Sequence, residues 1–522
     1  MKKLIIILGL LIIIAGIVYL FLPKKTVTQN RSKRYTEIDN FFEGEASGKK
    51  SVAQNKSKRY NVVLIISDAL RIDVLGCYGG DAKTPNINWL AAKGALFKNA
   101  YSTAPTTLPS SISMFTSNYS MSYGIVLDEI KRKDPRWPYA FYVPNKEPLI
   151  GKALKKLGYS LKLHMENQLA MRSNNLQGFQ TLQGKDKIDK EDIKKIEKIT
   201  GIKNASWDKR EYLLSRFYGL LHFLLNIQKD NNFFVVIWIL DPHLPYNPPE
   251  KFLRNISFNP NRLRKEPSWY SSKLGGINPN EMSSHEIEYM KSLYKAEVES
   301  VDERVGIILK ALKHKKLLNK TYITFTTDHG EFLGENNRFG HGGSFHEELV
   351  HIPLIIFGPH IKAGARLDTY VSHIDLMPTI KELLGLKYSD NTQGKSYRSL
   401  LLGGSSKDRV LYFDLIDNEA KAAMKNKARA LIMNGYKLIV KSKYGIRVYG
   451  LYNLRNDPGE MNNLQAKKRR LVNKMHAEII KRIKENNARR EKNILYIAKE
   501  GVDLKSLSKE TREVLKSLGY IK

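Results

Sequence analysis

A chain of 522 residues is long enough for one large domain or two ordinary ones. With 42% hydrophobic and 10% aromatic residues it can bury a substantial core, which excludes disorder for its bulk, and its single cysteine, Cys77, excludes an internal disulfide framework and any multi-cysteine metal site. The 86 Lys and Arg exceed the 52 Asp and Glu by 34, a balance that favours an anionic partner (nucleic acid, membrane surface, or a phosphate or sulfate ester) without choosing among them.

In chain order, residues 1–25 place an uncharged 19-residue run, 4–22, between Lys2-Lys3 and Lys24-Lys25. At the helical rise this run spans about 28 Å, close to the hydrocarbon core of a bilayer. No small-residue cleavage site follows it. The expectation is an uncleaved transmembrane signal anchor over 1–25, a single pass that holds the rest of the chain in the membrane and outside the cytoplasm, in the periplasm or at the cell surface. Residues 26–58 then form a polar, basic tether.

The body alternates buried-strand patterns with an amphipathic helix. Residues 61–67 (NVVLIIS), 233–240 (FFVVIWIL), 322–327 (YITFTT) and 353–357 (PLIIF) are apolar runs suited to strands covered on both faces. Tyr294, Val298, Val301, Val305, Ile308 and Leu312 recur at steps of 4 and 3, one stripe of a helix packed on a sheet. This order predicts an α/β fold with a mostly parallel sheet over 59–404. Residues 185–209 and 255–285 read as charged or loop-like cover. Beyond 405, short strands at 410–413, 437–440 and 447–451, a turn at Asp457-Pro458-Gly459 and a basic helical tail from about 466 to 500 predict a smaller α+β subdomain over 405–522.

Ligands of open α/β sheets bind beyond the carboxyl ends of the strands. Asp68 follows the first strand, Asp241-Pro242-His243 the second, and Asp328-His329 the third. Each alone is an ordinary strand-end residue. Together they bring carboxylates and a neutral imidazole to one edge, a donor set suited to a hard or borderline divalent metal and hence to an anionic substrate.

At these residues the sequence resembles the sulfatase family of the alkaline phosphatase superfamily. The resemblance runs from about 60 to 464 and rests on 61–80 (NVVLIISDALRIDVLGCYGG), 84–117, 240–246 (LDPHLPY), 322–335 (YITFTTDHGEFLGE), 340–359, 372–379 and 451–464 (LYNLRNDPGEMNNL). It implies an alkaline-phosphatase-like α/β core, one divalent metal ion, and a hydroxyl nucleophile at a helix start. By position, Asp68, Asp328 and His329 match metal ligands. Thr107 matches the nucleophile and a further metal contact, with Thr106 its neighbour and rival. A hydroxyl there sits in the positive end of the helix dipole, and metal coordination would depress its pKa.

The departures narrow the chemistry. The family's Cys/Ser-x-Pro-x-Arg, oxidised to formylglycine, is here Thr107-Leu108-Pro109-Ser110-Ser111, without the oxidisable residue or the arginine. Cys77, thirty residues upstream, is expected to be a packed thiol. A second aspartate is replaced by Ala69, and the stretch expected to carry an anion-binding lysine reads His164-Met165-Glu166-Asn167-Gln168. A threonine ester requires a second displacement, which phosphorus tolerates. The expectation is a membrane-anchored, metal-dependent hydrolase of a phosphate or sulfate ester, phosphate favoured, with His243 and His341 contacting the anion or protonating the leaving group. The alternatives are a phosphoglycerol or phosphoethanolamine transferase and a non-catalytic anion-binding protein. His346, His351, His360 and His373 are expected to support the site or the core. No nucleic-acid-binding signature accompanies the charge, so a nucleic-acid partner is not expected.

Overall fold

The computed structural model describes residues 59–499 apart from 127–139, 145–148, 168–173, 203–210, 388–390, 416–426, 443–445 and most of 255–278. The expected anchor, the basic tether and the segment 500–522 lie outside the described residues. Among the described residues no helix is long and apolar enough to cross a membrane.

Nine strands build the main sheet: β1 (Asn61–Ser67), β2 (Ala95–Tyr101), β3 (Ser160–Met165), β4 (Gln180–Thr181), β5 (Phe233–Ile239), β6 (Thr321–Thr327), β7 (His351–Phe357), β8 (Ala365–Leu367) and β9 (Val371–Ser372). Their order is β8-β2-β7-β6-β1-β5-β3-β4, with β9 also on β2. Strands β4, β3, β5, β1 and β6 are mutually parallel, and β7 alone runs against its neighbours β6 and β2. The sheet is therefore mostly parallel, as the alternating pattern predicts. The central strands β1, β5 and β6 are buried at every residue, which accounts for their unbroken apolar character.

Helix Ser284–His314 covers one face with the stripe read from the sequence. All six of its apolar positions are buried. Its start is secured by a capping box in which the Ser283 hydroxyl accepts from the Glu286 amide and Glu286 accepts from the Ser283 amide. Asp302 on the same helix accepts from the Asn86 and Ile87 amides at the start of helix Pro85–Lys93, so one helix caps another. Residues 190–200, expected to be loop-like, form an 11-residue helix capped by Asp189. Its Ile196 and Thr200 are buried, and that spacing of four was masked by seven charged residues.

The C-terminal segment adds β10 (Leu411–Asp414), β11 (Lys427–Met433), β12 (Tyr436–Ser442) and β13 (Ile446–Asn453), an antiparallel sheet in sequence order, and a helix over Arg469–Lys499. One face of this sheet (Ala428, Ala430, Ile432, Ile439, Tyr452) packs with Tyr101, Phe332, Phe345 and Leu349 beside the main sheet. The other (Leu431, Leu438, Val440, Leu451) packs on Val472, Met475 and Ile479 of the helix. Alternation along each strand thus serves two cores at once.

Candidate active site

Parallel β1, β5, β6 and β3 all end at the same edge, and so does β2, which antiparallel β7 returns to their direction. Asp68 follows β1, and its amide donates to Ile239 O at the end of β5 at 2.9 Å. Asp328 and His329 follow β6. The turn after β6 is tied down by hydroxyls. Ser102 Oγ and Ser110 Oγ each donate to Asp328 O at 2.6 Å, and Thr327 Oγ1 donates to His329 O at 2.7 Å. The Ala69 amide donates to Asp328 Oδ1 at 3.1 Å, so the residue standing in place of a second aspartate contributes its backbone. Ala69 adopts φ 55°, in the left-handed region.

Asp68, Asp328 and His329 are each fully buried, and one ligand atom from each lies within 4.8 Å of the others. His329 Nδ1 donates to Gly330 O at 2.9 Å, which leaves Nε2 with a lone pair 3.4 Å from Asp328 Oδ2. Asp68 Oδ2 accepts from Asn167 Nδ2 and from Trp238 Nε1, the latter at 3.0 Å. Asp68 Oδ1 and Asp328 Oδ2 are buried without a hydrogen-bond partner. Burial, and then the Asp328 charge, push the Asp68 carboxyl well above the usual carboxylate range, and burial pushes Asp328 up in the same way. Burial and then the neighbouring His341 hold His329 well below the usual imidazole range. Two orphaned carboxylate oxygens and a neutral imidazole facing one point are what a divalent cation would satisfy. The residues present therefore fit the metal that the resemblance implies.

Thr107 opens helix Thr107–Thr116 after Thr106, with only 4% of its surface exposed. Its Oγ1 lies 3.2 Å from His329 Nε2. Pro109 has no amide, so the first turn offers the N–H groups of Thr107 and Leu108. Thr106 Oγ1 is buried without a hydrogen-bond partner. His341 stands with its ring 4.3 Å from that of His329 and 4.9 Å from that of His243. Its Nδ1 lies 3.1 Å from Glu331 Oε1, and Tyr246 OH donates to Glu331 Oε2 at 2.7 Å. Burial holds His341 down to about 4 and lowers His243 as well. Burial thus disfavours the charged form of both rings.

Thr107, His243, His341 and the three expected ligands are thus brought together. Asp241, which the strand-end pattern also offered, is not among them. Its Oδ2 accepts from Arg304 Nη2 at 2.7 Å. The same guanidinium holds Glu166 through Oε1 and Oε2 at 3.0 and 2.9 Å. His373 is buried with Nδ1 3.1 Å from Ser110 Oγ, beneath the Asp328 turn. His351 stacks on Tyr101, whereas His360 lies exposed beside Tyr60 and supports neither the site nor the core. Cys77 is a buried thiol pushed up to about 12 by burial. Sequence reasoning passed over Asn167, Trp238 and Glu331. Asn167 lies two residues beyond β3, at the edge where Asp68 follows β1, so the same strand-end rule reaches it once Ser160–Met165 is read as a strand.

Residues 60–386 match the sulfatase family, and residues 334–489 match the C-terminal family of N-sulphoglucosamine sulphohydrolase. Among curated proteins, arylsulfatase K of Xenopus laevis is 27% identical over 367 residues, covering 67% of each chain. An uncharacterized sulfatase of Escherichia coli K12 is 23% identical over 77% of this chain and 82% of its own. Among solved structures, the phosphonate monoester hydrolase of Agrobacterium radiobacter superposes with a TM-score of 0.63 at 21% identity, over 82% of this chain and 96% of its own. A 2-O GAG sulfatase superposes at 0.64 and 18% identity, over 82% and 93%. The family match extends over more than half of the chain, through the strand ends that carry the buried acids, and the chain belongs to the sulfatase family of the alkaline phosphatase superfamily, a family of sulfuric ester hydrolases.

Proposed function

We propose that this chain is a metal-dependent ester hydrolase in which Thr107 attacks the tetrahedral centre of a phosphate or sulfate ester, with phosphate favoured. The observation that carries this reading is the Thr107 hydroxyl at a helix start, 3.2 Å from His329 Nε2 and beside two buried carboxylates with unsatisfied oxygens. Asp68, Asp328 and His329 would hold the cation, with Thr107 beside it. When bound, that ion would supply positive charge against the ester oxygens and lower the pKa of a neighbouring hydroxyl.

Thr107 Oγ1 bonds to phosphorus as its proton passes to solvent water, while the bond from phosphorus to the leaving alcohol breaks and the alcohol oxygen takes a proton from the histidine pair. The dipole of helix Thr107–Thr116 and its first amides favour the negative charge held over the helix start. An incoming anion raises the proton affinity of the His243 and His341 pair, which burial otherwise keeps neutral. Glu331 accepts from His341 Nδ1 and so directs Nε2 outward, where a protonated ring can hand its proton to the leaving oxygen. Water then attacks phosphorus, releasing phosphate and restoring the Thr107 hydroxyl.

Phosphate is favoured because a threonine ester lacks the hydrate whose collapse expels sulfate, and phosphorus undergoes two successive displacements readily. The second reading, a sulfate ester substrate, draws on the relatives named for arylsulfate hydrolysis. Transfer to an acceptor alcohol in place of water is a variant of the same covalent step. The 19-residue apolar run at 4–22 supports a single-pass anchor that holds the hydrolase at a membrane, on its extracytoplasmic side.

Turnover of 4-nitrophenyl phosphate, bis(4-nitrophenyl) phosphate and 4-nitrophenyl sulfate tests the reading. Thr107→Ala is expected to lower kcat by about 10³-fold or more while Thr107→Ser keeps measurable activity. Full activity in Thr107→Ala would remove Thr107 from the nucleophile's role. Greater turnover of the sulfate than of either phosphate would select the second reading.

A further inference from the structure

Antiparallel β12 and β13 pair Lys441 directly with Arg447, two cations opposite each other on one face. Like charges directly opposite on adjacent strands destabilise a sheet. No carboxylate pairs with either among the described residues, although Lys437, four residues back along β12, is held by both Glu347 and Glu460 at 2.7 Å. Arg338 is a third cation without an acidic partner among the described residues. It reaches this face from the loop before His341, donates to Gly342 O at 3.1 Å and stands 5.2 Å over the Phe332 ring.

Aromatic contacts join these groups into one patch. His346 stands 6.0 Å from the Phe332 ring and 6.3 Å from the Tyr449 ring, and Lys441 Nζ lies 3.7 Å over Tyr449. The β12–β13 register shifts between Ile439 and Val440, opposite Tyr449, and such a bulge turns a side chain out of the regular alternation. Tyr449 is 43% exposed, one of few large hydrophobic side chains left open among the described residues. After burial, the charges of Lys437, Lys441 and Arg338 hold His346 down to about 4, which registers an excess of positive charge at this spot. The patch adjoins the active site through Arg338, one residue from His341 by way of the Gly342 carbonyl.

We propose that Arg338, Lys441 and Arg447, with Tyr449 as an aromatic platform, form a subsite for a second anionic group, sulfate, phosphate or carboxylate, carried by the substrate whose ester is cleaved at Thr107. The assignment rests on the hydrolase reading for its link to the ester, and on the cation cluster alone for anion binding. The second anionic group would neutralise the three cations that the fold otherwise leaves in mutual repulsion, while a sugar or aryl ring stacks on Tyr449.

Two measurements on the full-length, detergent-solubilised chain test it. Calorimetric titration with inorganic sulfate is expected to show an anion site that is weakened about tenfold or more in Lys441→Gln and in Arg447→Gln. Arg447 is exposed, so its replacement guards against a folding defect. Equal sulfate affinity in both variants and the parent overturns the subsite, whether or not any ester is turned over. In the second measurement, KM is compared between 4-nitrophenyl esters with and without a ring carboxylate. The parent is expected to favour the carboxylated ester, and Lys441→Gln to shrink that KM ratio about tenfold. An unchanged ratio overturns the substrate-borne group and leaves a free anion as the occupant. Absence of all turnover with sulfate binding intact would count against the hydrolase reading while upholding the anion site.

Discussion

Asp68 Oδ1 and Asp328 Oδ2 are both buried without a donor, and burial raises the proton affinity of both carboxyls, with the Asp328 charge adding to the effect at Asp68. A carboxyl whose folded pKa is raised favours folding below its ordinary value and loses that contribution as pH rises through the folded value. In chelator, the stability of the chain is therefore expected to fall as pH rises from about 4 through about 7. Asp328→Asn is expected to flatten that fall and to raise the melting temperature of the metal-free chain by a few degrees. Added divalent metal should stabilise the parent and not the variant, which thermal melts at pH 5 and pH 8, with and without metal, would check. A parent melt indifferent to metal would sink the three-ligand site. These acids were legible in the sequence because each directly follows a strand. Glu331 was not, because its role depends on Tyr246 and His341, which lie 85 and 10 residues away.

Between β3, β5 and helix Ser284–His314, Arg304 acts as a buried clamp. It holds Glu166 and Asp241 with 1% of its own side chain exposed, and so fixes the strand ends that carry Asn167 and His243. Burial acts to raise Glu166, but the Arg304 guanidinium and then His164 outweigh it and hold the carboxyl down to about 2. A depressed carboxylate contributes stability above its unfolded pKa, and that contribution is lost as pH falls from about 4.5 to about 2. Glu166→Gln is expected to lessen acid destabilisation in this window, amounting to about 3 kcal/mol if the whole shift is realised. Arg304→Met leaves two buried carboxylates without their shared cation and is expected to cost about 3–5 kcal/mol in denaturant unfolding. A loss under about 1 kcal/mol would mean that water reaches the pair. The amphipathic stripe places this helix on the sheet from sequence alone. That Arg304, on the buried side of such a helix, clamps two strand ends is visible only when the helix crosses them.

Across the molecule, Lys437 binds the C-terminal sheet to the main one. Its ammonium is fully buried and meets Glu347, at the start of the segment leading into β7, and Glu460, beyond β13. Burial works against this charge, yet the two carboxylates raise its pKa, so the ion pairs hold it protonated. Lys437→Met is expected to lower the melting temperature and, because Glu347 adjoins the His341–His346 loop, to lower activity in parallel. Measuring both in one preparation checks the coupling. The net +34 acts at longer range. The kcat/KM for an anionic ester is expected to fall with added salt, since screening shortens the reach of the field to about 10 Å at 0.1 M. Fractionation should recover the full chain with membranes and residues 59–522 in the soluble fraction. Recovery of the full chain as soluble protein would remove the anchor.

The buried strands at 61–67, 233–239 and 322–327, the long helix and the acids that follow those strands were determined by the sequence itself. Uninterrupted apolar runs and a stripe at helical spacing are local signals that need no partner to be recognised. Strand β3 escaped because Lys162 and His164 interrupt its pattern, and with it went Asn167 and the donor it gives Asp68. Only the tertiary structure decided that Asp241 serves Arg304 while Asp68 faces Asp328, since strand-end position fixes an edge and not a direction. Only it, too, brought Arg338, from the loop before His341, within electrostatic reach of Lys441 on β12. Electrostatic work between groups a hundred residues apart is done across space, and composition records those charges without recording which of them meet.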